Sequence, residues 1–282
     1  MFSTCRNIVT VFLFVFSFQA VAAQSDQAVQ ELYVKSGMKD QLAQMAPAMD
    51  MGFQQVAQAK AKGTNQAMIS SIRAAMMDAY APQQLEKYAL GHIFKKLKKK
   101  DINKVMEWLE SGLGKKITKL EKDASTPKAR QQLLAYAQSL QQTLPSEQRI
   151  GQVVSLMKVT KAAESATEVA LGTQKAVMSA MFSAMPQAEA NMGQMIISQL
   201  EAQRPKLMEN MQNQVLLTFL FTYRSLSDEE LGQYVAFAST KSGQKYHRVM
   251  TEALMRALSE AGTQLGKNMA EIISKNTKVS KK

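Results

Sequence analysis

Very few residues in this chain have side chains suited to catalysis. The 282 residues include two histidines, His92 and His247, and a single cysteine, Cys5. The histidines lie far apart in sequence, and because His247 sits in a basic stretch with Lys245 and Arg248, we expect it on the surface. Spacings typical of metalloproteases, P-loops, nucleophile elbows and zinc clusters are absent from the sequence. We therefore predict no enzymatic activity, no catalytic residue, no metal site and no cofactor.

Methionine is the one chemically versatile residue type that is abundant, with 20 copies in the chain. Clustered thioethers bind Cu(I), which makes copper binding a remote alternative function. Methionine is also a flexible filler of helix–helix cores, and the helical spacing of these residues favours that role. A third interpretation is an adaptable apolar groove for protein clients. The runs are Met45, Met49 and Met51; Met178, Met181 and Met185; Met192 and Met195; and Met208 and Met211.

The N-terminal segment predicts export from the cytoplasm. Arg6 precedes a compact apolar stretch over 8–16, and residues 20–23 are small enough for cleavage. We predict a signal peptide over 1–23, cleaved near Ala23, and a periplasmic location, with secretion as the alternative. Cleavage leaves 259 of the 282 residues and lowers the net charge from +12 to +11, because Arg6 is lost. The mature chain has no cysteine and therefore no disulfide.

Apolar residues recur with helical spacing through the mature chain. Ile102, Val105, Met106 and Leu109 follow the i, i+3, i+4, i+7 pattern that gathers side chains on one face of a helix. No stretch alternates for long in the manner of a strand, and good helix formers dominate. The sequence therefore predicts an all-α fold.

The chain also matches itself. Five pairs of residues lie 129 positions apart, and residues 25–32 match residues 146–153 at an offset of 121. Such self-similarity is typical of tandem repeats, here each a multi-helix bundle. We predict a first repeat over 24–125, a linker helix over 126–145, a second repeat over 146–274 and a basic disordered tail over 275–282; whether the repeats form one core or two stays open. The pairs are Leu97/Leu226, Ile102/Leu231, Trp108/Phe237, Ser111/Thr240 and Gly114/Gly243.

Each repeat is predicted to contain a helix-turn-helix corner. Ser111, or Thr240 in the second copy, is placed to cap the second helix of the corner. Gly114 and Gly243 follow at its third position, where the missing Cβ leaves room for the preceding helix. The preceding helix carries the aromatic residue of the motif, Trp108 or Phe237.

The strip over 226–243 resembles the bacterial "domain of unknown function 2059" family. The family's recurrent pattern is an aromatic or aliphatic residue, Thr or Ser, two acidic positions, Glu-Leu, and then Phe-Tyr-x-Ser-Pro-x-Gly. Ala238 and Lys241 depart from the usual Tyr and Pro. The resemblance implies exported, all-helical domains with no established enzymatic role. The positions on the pattern are Leu226, Ser227, Asp228, Glu229, Glu230, Leu231, Phe237, Thr240 and Gly243.

The start of this strip also predicts a capping box, in which Ser227 and Glu230 each satisfy a free backbone donor. The first copy has lost it, because Lys98 and Asp101 occupy those positions.

Positive charge is concentrated around the first copy's corner. A solvated face explains such lysines, but attraction to anionic lipid or cell wall is the functional alternative, with about 1 kcal/mol for each lysine near the surface. Nucleic acid fits neither an exported protein nor a lysine run without interleaved aromatic residues. The lysines are Lys95, Lys96, Lys98, Lys99, Lys100, Lys104, Lys115, Lys116 and Lys119.

The sequence thus predicts an exported, non-catalytic helical protein that acts through protein–protein interaction or chaperone-like binding to an envelope protein. The alternative is an envelope-surface binder that uses the lysines.

Overall fold

A computed structural model describes residues 27–59, 66–183 and 187–279. Within these ranges every regular element is an α-helix, which confirms the fold class predicted from the apolar periodicity. The predicted signal peptide over 1–23 and the last three residues lie outside the described residues.

The helices run in chain order with short connections. The first half contains α1 (27–35), α2 (Met38–Ala43), α3 (Met45–Ala59), α4 (Gln66–Ala79), α5 (Pro82–Lys96), α6 (Lys99–Glu110) and α7 (Gly112–Ala124). Helix α8 (Pro127–Ser139) falls in the segment predicted as a linker helix. The second half contains α9 (Glu147–Thr160), α10 (Ala162–Ser183), α11 (Gln187–Ala202), α12 (Arg204–Thr222), α13 (Asp228–Ser239) and α14 (Lys241–Val279).

Helix α14 is much longer than the others. It has 39 residues and reaches about 58 Å at 1.5 Å per residue. Its last turns take in the first part of the segment for which the sequence predicts a disordered tail, so residues 275–279 are helical. In the first half, the corresponding stretch is interrupted at Thr126-Pro127 and continues as α8.

Hydroxyl side chains begin several of the helices. In the capping box of α13, Ser227 Oγ accepts from the Glu230 amide at 3.1 Å, and the Ser227 amide donates to the Glu230 carboxylate at 2.9 Å. These bonds satisfy donors that a helix start otherwise leaves open. The side chains that cap a helix in this way are Ser111, Thr126, Ser146, Ser227 and Thr240.

Buried apolar side chains form two clusters, and the corner helices cross between them. The first cluster takes side chains from α1, α2, α4, α5 and α6, together with Tyr246, Val249 and Met250 of α14. The second takes side chains from α9, α12 and α13, together with Ile117 of α7. The second helix of each corner therefore packs in the core of the other half of the chain.

The glycine in each corner sits where a side chain does not fit. A Cβ on Gly114 would lie 1.9 Å from the carbonyl oxygen of Trp108, and a Cβ on Gly243 would lie 2.2 Å from that of Phe237. The obstacle is backbone, so it cannot swing aside. Each corner thus has the same kind of tight turn, which is closed by the Ser111 cap in the first corner and by the Thr240 cap in the second.

We expect Gly114→Ala to lower the free energy of unfolding by more than about 2 kcal/mol, because the added methyl forces the α6–α7 backbones apart. Gly112→Ala is the matched control, since a Cβ there meets no atom within 4 Å. Urea unfolding of both variants measures the difference. Equal midpoints for the two variants would contradict the tight-turn account.

Candidate functional site

The two corners face each other across the middle of the molecule. The rings of Trp108 and Phe237 stack with centroids 4.4 Å apart and planes 5° apart. On one side Lys116 Nζ lies 2.6 Å from a Glu230 carboxylate oxygen. On the other, Lys245 Nζ lies 2.5 Å from Asp101. Trp108 and Phe237, Lys116 and Lys245, and Asp101 and Glu230 are each 129 positions apart.

The ion pairs are therefore reciprocal: Lys116 of the first corner binds Glu230 of the second, and Lys245 of the second corner binds Asp101 of the first. Reciprocal contacts of this kind are typical of an isologous interface. The stack contributes about 0.5–1.5 kcal/mol beyond its buried area. The Lys245 ammonium lowers the pKa of the Asp101 carboxyl, and Lys116 lowers that of Glu230. Both ion pairs are partly exposed, so their main effect is to align the corners.

A cavity of about 690 Å³ opens beside this stack. Its wall combines the first half's α6 and α7 with the second half's α12, α13 and α14. Aromatic rings and hydroxyl groups dominate the lining. The lining includes Trp108, Glu121, Tyr223, Tyr234, Tyr246 and His247.

Glu121 is the carboxyl group at the centre of the polar contacts in this cavity. One of its oxygens accepts hydrogen bonds from Tyr223 Oη at 2.8 Å and from Tyr234 Oη at 3.1 Å. Burial raises the pKa of Glu121, against the opposing effect of the two hydroxyl donors. Burial also raises the pKa of both tyrosines well above the ordinary value, so both hydroxyls remain protonated and able to donate.

Glu121 has no cationic partner among the residues that the structure describes. The neighbouring Lys122 turns instead to Asp40, with its Nζ 2.7 Å from the carboxylate. Buried carboxylates in proteins are normally paired with a cation, because desolvation of a lone charge is costly.

His247 is enclosed by rings rather than exposed. Its imidazole lies 5.0 Å from the ring of Tyr246, 6.2 Å from Tyr234 and 6.4 Å from Phe237. Its Nε2 atom is buried and has no hydrogen-bond partner. Burial lowers the pKa of His247 to about 4, so the ring is neutral at pH 7.

The expectation of a surface His247 is therefore wrong. The basic neighbours Lys245 and Arg248 lie on other faces of α14, since each residue turns the helix by about 100°. Lys245 reaches Asp101, while His247 points into the seam between the halves.

The equivalent position in the other half is apolar. Met250 stands 129 positions after Glu121, and Val105 stands 129 positions before Tyr234. Met250 and Val105 are buried in the first cluster, with 8% and 0% exposure. The same packing position thus accepts purely apolar side chains, so the fold does not require a hydrogen-bonded carboxyl there.

The sequence reasoning missed Glu121 as a site residue. Lysines flank Glu121 in the sequence of α7, a pattern typical of a surface ion pair such as that of Lys119 with Asp123. The sequence does contain one signal, which appears when residues 129 positions apart are compared. Glu121 and Tyr234 then correspond to Met250 and Val105, so an acid and a tyrosine replace a methionine and a valine.

The predicted lysines divide into two groups. On α7, Lys116 binds Glu230 and Lys119 binds Asp123 at 2.5 Å. The hydrogen bond from Lys35 lowers the pKa of Glu110, and Lys115 of α7 adds to this effect. The other lysines lie where α5 meets α6, about 18 Å away along the 12 residues of α6. We call the second group, with the adjoining phenylalanine, the junction surface: Phe94, Lys95, Lys96, Lys98, Lys99, Lys100 and Lys104.

Phe94 is an exposed aromatic ring in the junction surface. Its exposed fraction is 46%, whereas Tyr223, 129 positions later, is 3% exposed. Lys87, Gly91 and Phe94 follow i, i+4, i+7 spacing and share one face of α5. Because Gly91 has no side chain, nothing on that face covers the ring from the preceding turn.

The methionines occupy several environments. Met45 and Met49 pack partly against the first cluster, whereas Met192 and Met195 on α11 are 58% and 73% exposed. The side chain of Met185 lies outside the described residues. Over 27–59, 66–183 and 187–279, no three His, Cys, Asp or Glu side chains come together as a set of metal ligands.

Comparison of the chain with protein-family models, with curated proteins and with solved structures finds no match. In the part of the chain that the structure describes, no helix is long and apolar enough to cross a membrane.

The buried imidazole predicts a pH dependence of stability. A base whose folded pKa is lowered makes a contribution that is present above its unfolded pKa and is lost as pH falls through the folded value. Wild type should therefore lose stability relative to His247→Gln between about pH 6.5 and pH 4, with a slope approaching about 1.4 kcal/mol per pH unit. Urea midpoints across this range measure the slope.

His92→Gln is the control for this comparison. It leaves His247 in place and should therefore keep the slope. Parallel stability profiles for wild type and His247→Gln would show that the imidazole is not buried as described.

Proposed function

We propose that this chain is an exported, non-catalytic binding protein, built from two diverged copies of one helical unit and related to the family that its second corner resembles. The reciprocal contacts between residues 129 positions apart support the duplication. A binding role is supported by the partners of the histidines. His92 lies 3.0 Å from Glu252, and His247 Nε2 has no partner, so neither activates a hydroxyl nucleophile.

The best-supported binding partner is an anionic lipid surface of the envelope, held by the junction surface. Over residues 94–104 the chain carries six lysines and one acid, Asp101. That acid is already engaged by Lys245 from α14. Lys95, Lys96, Lys98, Lys100 and Lys104 form no ion pair with an acid in the part of the chain that the structure describes, unlike Lys116 and Lys119 of α7.

The main support for the proposal is that these lysines oppose the stability of the start of helix α6. Helix α6 has Lys98 at its N-cap with no side-chain cap hydrogen bond, and Lys99, Lys100 and Asp101 follow in its first turn. Cations at a helix N-terminus oppose the helix dipole. Helix α13, at the equivalent position, begins with a capping box and three acidic residues. The same helix start can thus be built stably, and the lysines oppose that stability.

Phe94 adds an apolar anchor to the charges. Full burial of a phenylalanine side chain contributes about 1.5–3 kcal/mol, and each lysine near an anionic surface adds about 1 kcal/mol. A ring within a lysine cluster is the combination that interfacial membrane binding uses.

We expect the mature protein to sediment with phosphatidylglycerol vesicles at low salt and not with phosphatidylcholine vesicles. The variant Lys98→Ser/Lys99→Gln/Lys100→Gln should bind at least about tenfold more weakly, because it loses three lysines worth about 1 kcal/mol each. Its free energy of unfolding should stay equal or rise, since the serine introduced in place of Lys98 can cap α6. Phe94→Ser should weaken binding in a way that salt does not screen.

The matched control removes the same charge elsewhere, by Lys128→Gln/Lys158→Gln/Lys206→Gln, at three exposed positions outside the junction surface. It should bind almost as wild type does. Equal loss in both triple variants would show that net charge alone drives association. Binding that does not fall with salt would contradict the proposal.

The second candidate function is binding of protein clients. The exposed side chains of Met192 and Met195, one turn apart on α11, favour it, because flexible thioethers adapt to varied apolar surfaces. Capture of envelope proteins that is unchanged by the junction variant and lost in Met192→Ser/Met195→Ser would favour this candidate.

A further inference from the structure

The cavity beside the Trp108–Phe237 stack contains a carboxyl group for which the protein supplies no counter-charge. Glu121 accepts hydrogen bonds from two tyrosines, but such donors are neutral. The nearest cation in sequence, Lys122, is bound to Asp40. Among the described residues, no other lysine or arginine forms an ion pair with Glu121. A bound cation would supply the missing positive charge and would favour the ionised form of Glu121, against the effect of burial.

Aromatic rings surround this carboxyl group. Tyr223 and Tyr234 meet edge to face with centroids 5.7 Å apart, and Trp108 lies 6.0 Å from Tyr234. Tyr246 completes the lining on the side of α14. Rings of this kind attract organic cations through their negative faces, and the attraction grows when water is excluded.

A neutral imidazole completes the polar lining. His247 Nε2 is buried and has no partner, although a buried polar atom normally forms a hydrogen bond. Because burial keeps the pKa of His247 low, the ring does not repel a cation at pH 7. Its nitrogen is therefore available to a polar group on the same ligand.

Packing does not explain this set of residues. The equivalent place in the first cluster is filled by Met250 and Val105, with no hydrogen bond and no charge. Beside the second cluster, by contrast, the carboxyl group of Glu121 on α7 meets the hydroxyls of Tyr223 and Tyr234 next to a cavity. The difference between the two places is therefore chemical rather than structural.

We propose that this cavity is a binding site for a small organic cation of the alkylammonium class, with the cationic nitrogen against Glu121 and among the surrounding rings. A volume of about 690 Å³ lies within the range of about 300–1,000 Å³ that is usual for small-ligand sites. The site is separate from the junction surface, so the test of cation binding is independent of the test of vesicle binding.

Trp108 provides a direct readout, because it is the only tryptophan in the chain and lines the cavity. The probes are choline, tetramethylammonium and 3,3-dimethyl-1-butanol, the last a neutral molecule with the shape of choline. We expect a saturable change of Trp108 fluorescence with both cations and a rise in melting temperature. The neutral probe should produce neither at the same concentrations.

Variants locate the charge that is responsible. Glu121→Gln keeps an oxygen acceptor for both tyrosines and removes the negative charge, so choline affinity should fall at least tenfold while the fold is kept. Tyr223→Phe keeps the ring and should change affinity only a few fold. Glu107→Gln, at an exposed carboxylate of α6 outside the cavity, is the matched control and should bind as wild type does.

Three results would overturn the proposal. The first is the absence of any saturable response to either cation in the wild-type protein. The second is an equal response to choline and to 3,3-dimethyl-1-butanol, which would show an apolar cavity without cation preference. The third is unchanged choline affinity in a folded Glu121→Gln variant. The comparison of cation and neutral probe uses the wild-type chain, so it holds even where a variant is destabilised.

Discussion

The reciprocal packing of the two corners is the constraint on which the rest of this structure depends. Helix α7 packs against α6 and also buries Ile117 against α9, α12 and α13, while α14 packs along α10 and also buries Tyr246 and Val249 in the first cluster. Neither core is complete without a helix from the other half. The stacked rings of Trp108 and Phe237 lie where the exchange crosses, flanked by two equivalent ion pairs. The two clusters are thus joined by helices that cross between them, and the single cysteine, Cys5, has no second cysteine with which to form a disulfide within the chain.

This exchange also explains where the candidate sites lie. The two sides of the contact between the halves can be compared through residues that lie 129 positions apart. The side containing Met250 and Val105 is apolar and filled, whereas the side containing Glu121 and His247 is polar and encloses a cavity. The lysines diverged in a similar way: α13 begins with the acids that a helix start favours, and α6 begins with cations that oppose it. In both places residues 129 positions apart differ in chemistry, and this difference supports the proposed binding function.

The local features of this fold can be predicted from the sequence, whereas the contacts between distant residues cannot. The helical class, the Ser227 capping box and the glycine turns depend on residues a few positions apart, so spacing alone predicts them. The placement of α7 in the opposite core depends on which of two similar apolar faces it meets, and periodicity cannot distinguish these. His247 was predicted on the surface because Lys245 and Arg248 are its neighbours in sequence, whereas in the structure the rings of Tyr234, Phe237 and Tyr246 lie around it. Glu121 acquires its role only through Tyr223 and Tyr234, which lie more than 100 positions away in sequence.

The central claim, that the corners hold each other through a direct pair of equivalent residues, is tested most directly by a double-mutant cycle. Trp108→Leu, Phe237→Leu and the double variant keep an apolar side chain at both positions while removing the stack. The free energies of unfolding should show a coupling of about 0.5–1.5 kcal/mol between the two positions, the value usual for aromatic pairs in contact. Effects that add to within about 0.3 kcal/mol would mean that the two rings do not meet, and the exchange of helices would then be contradicted.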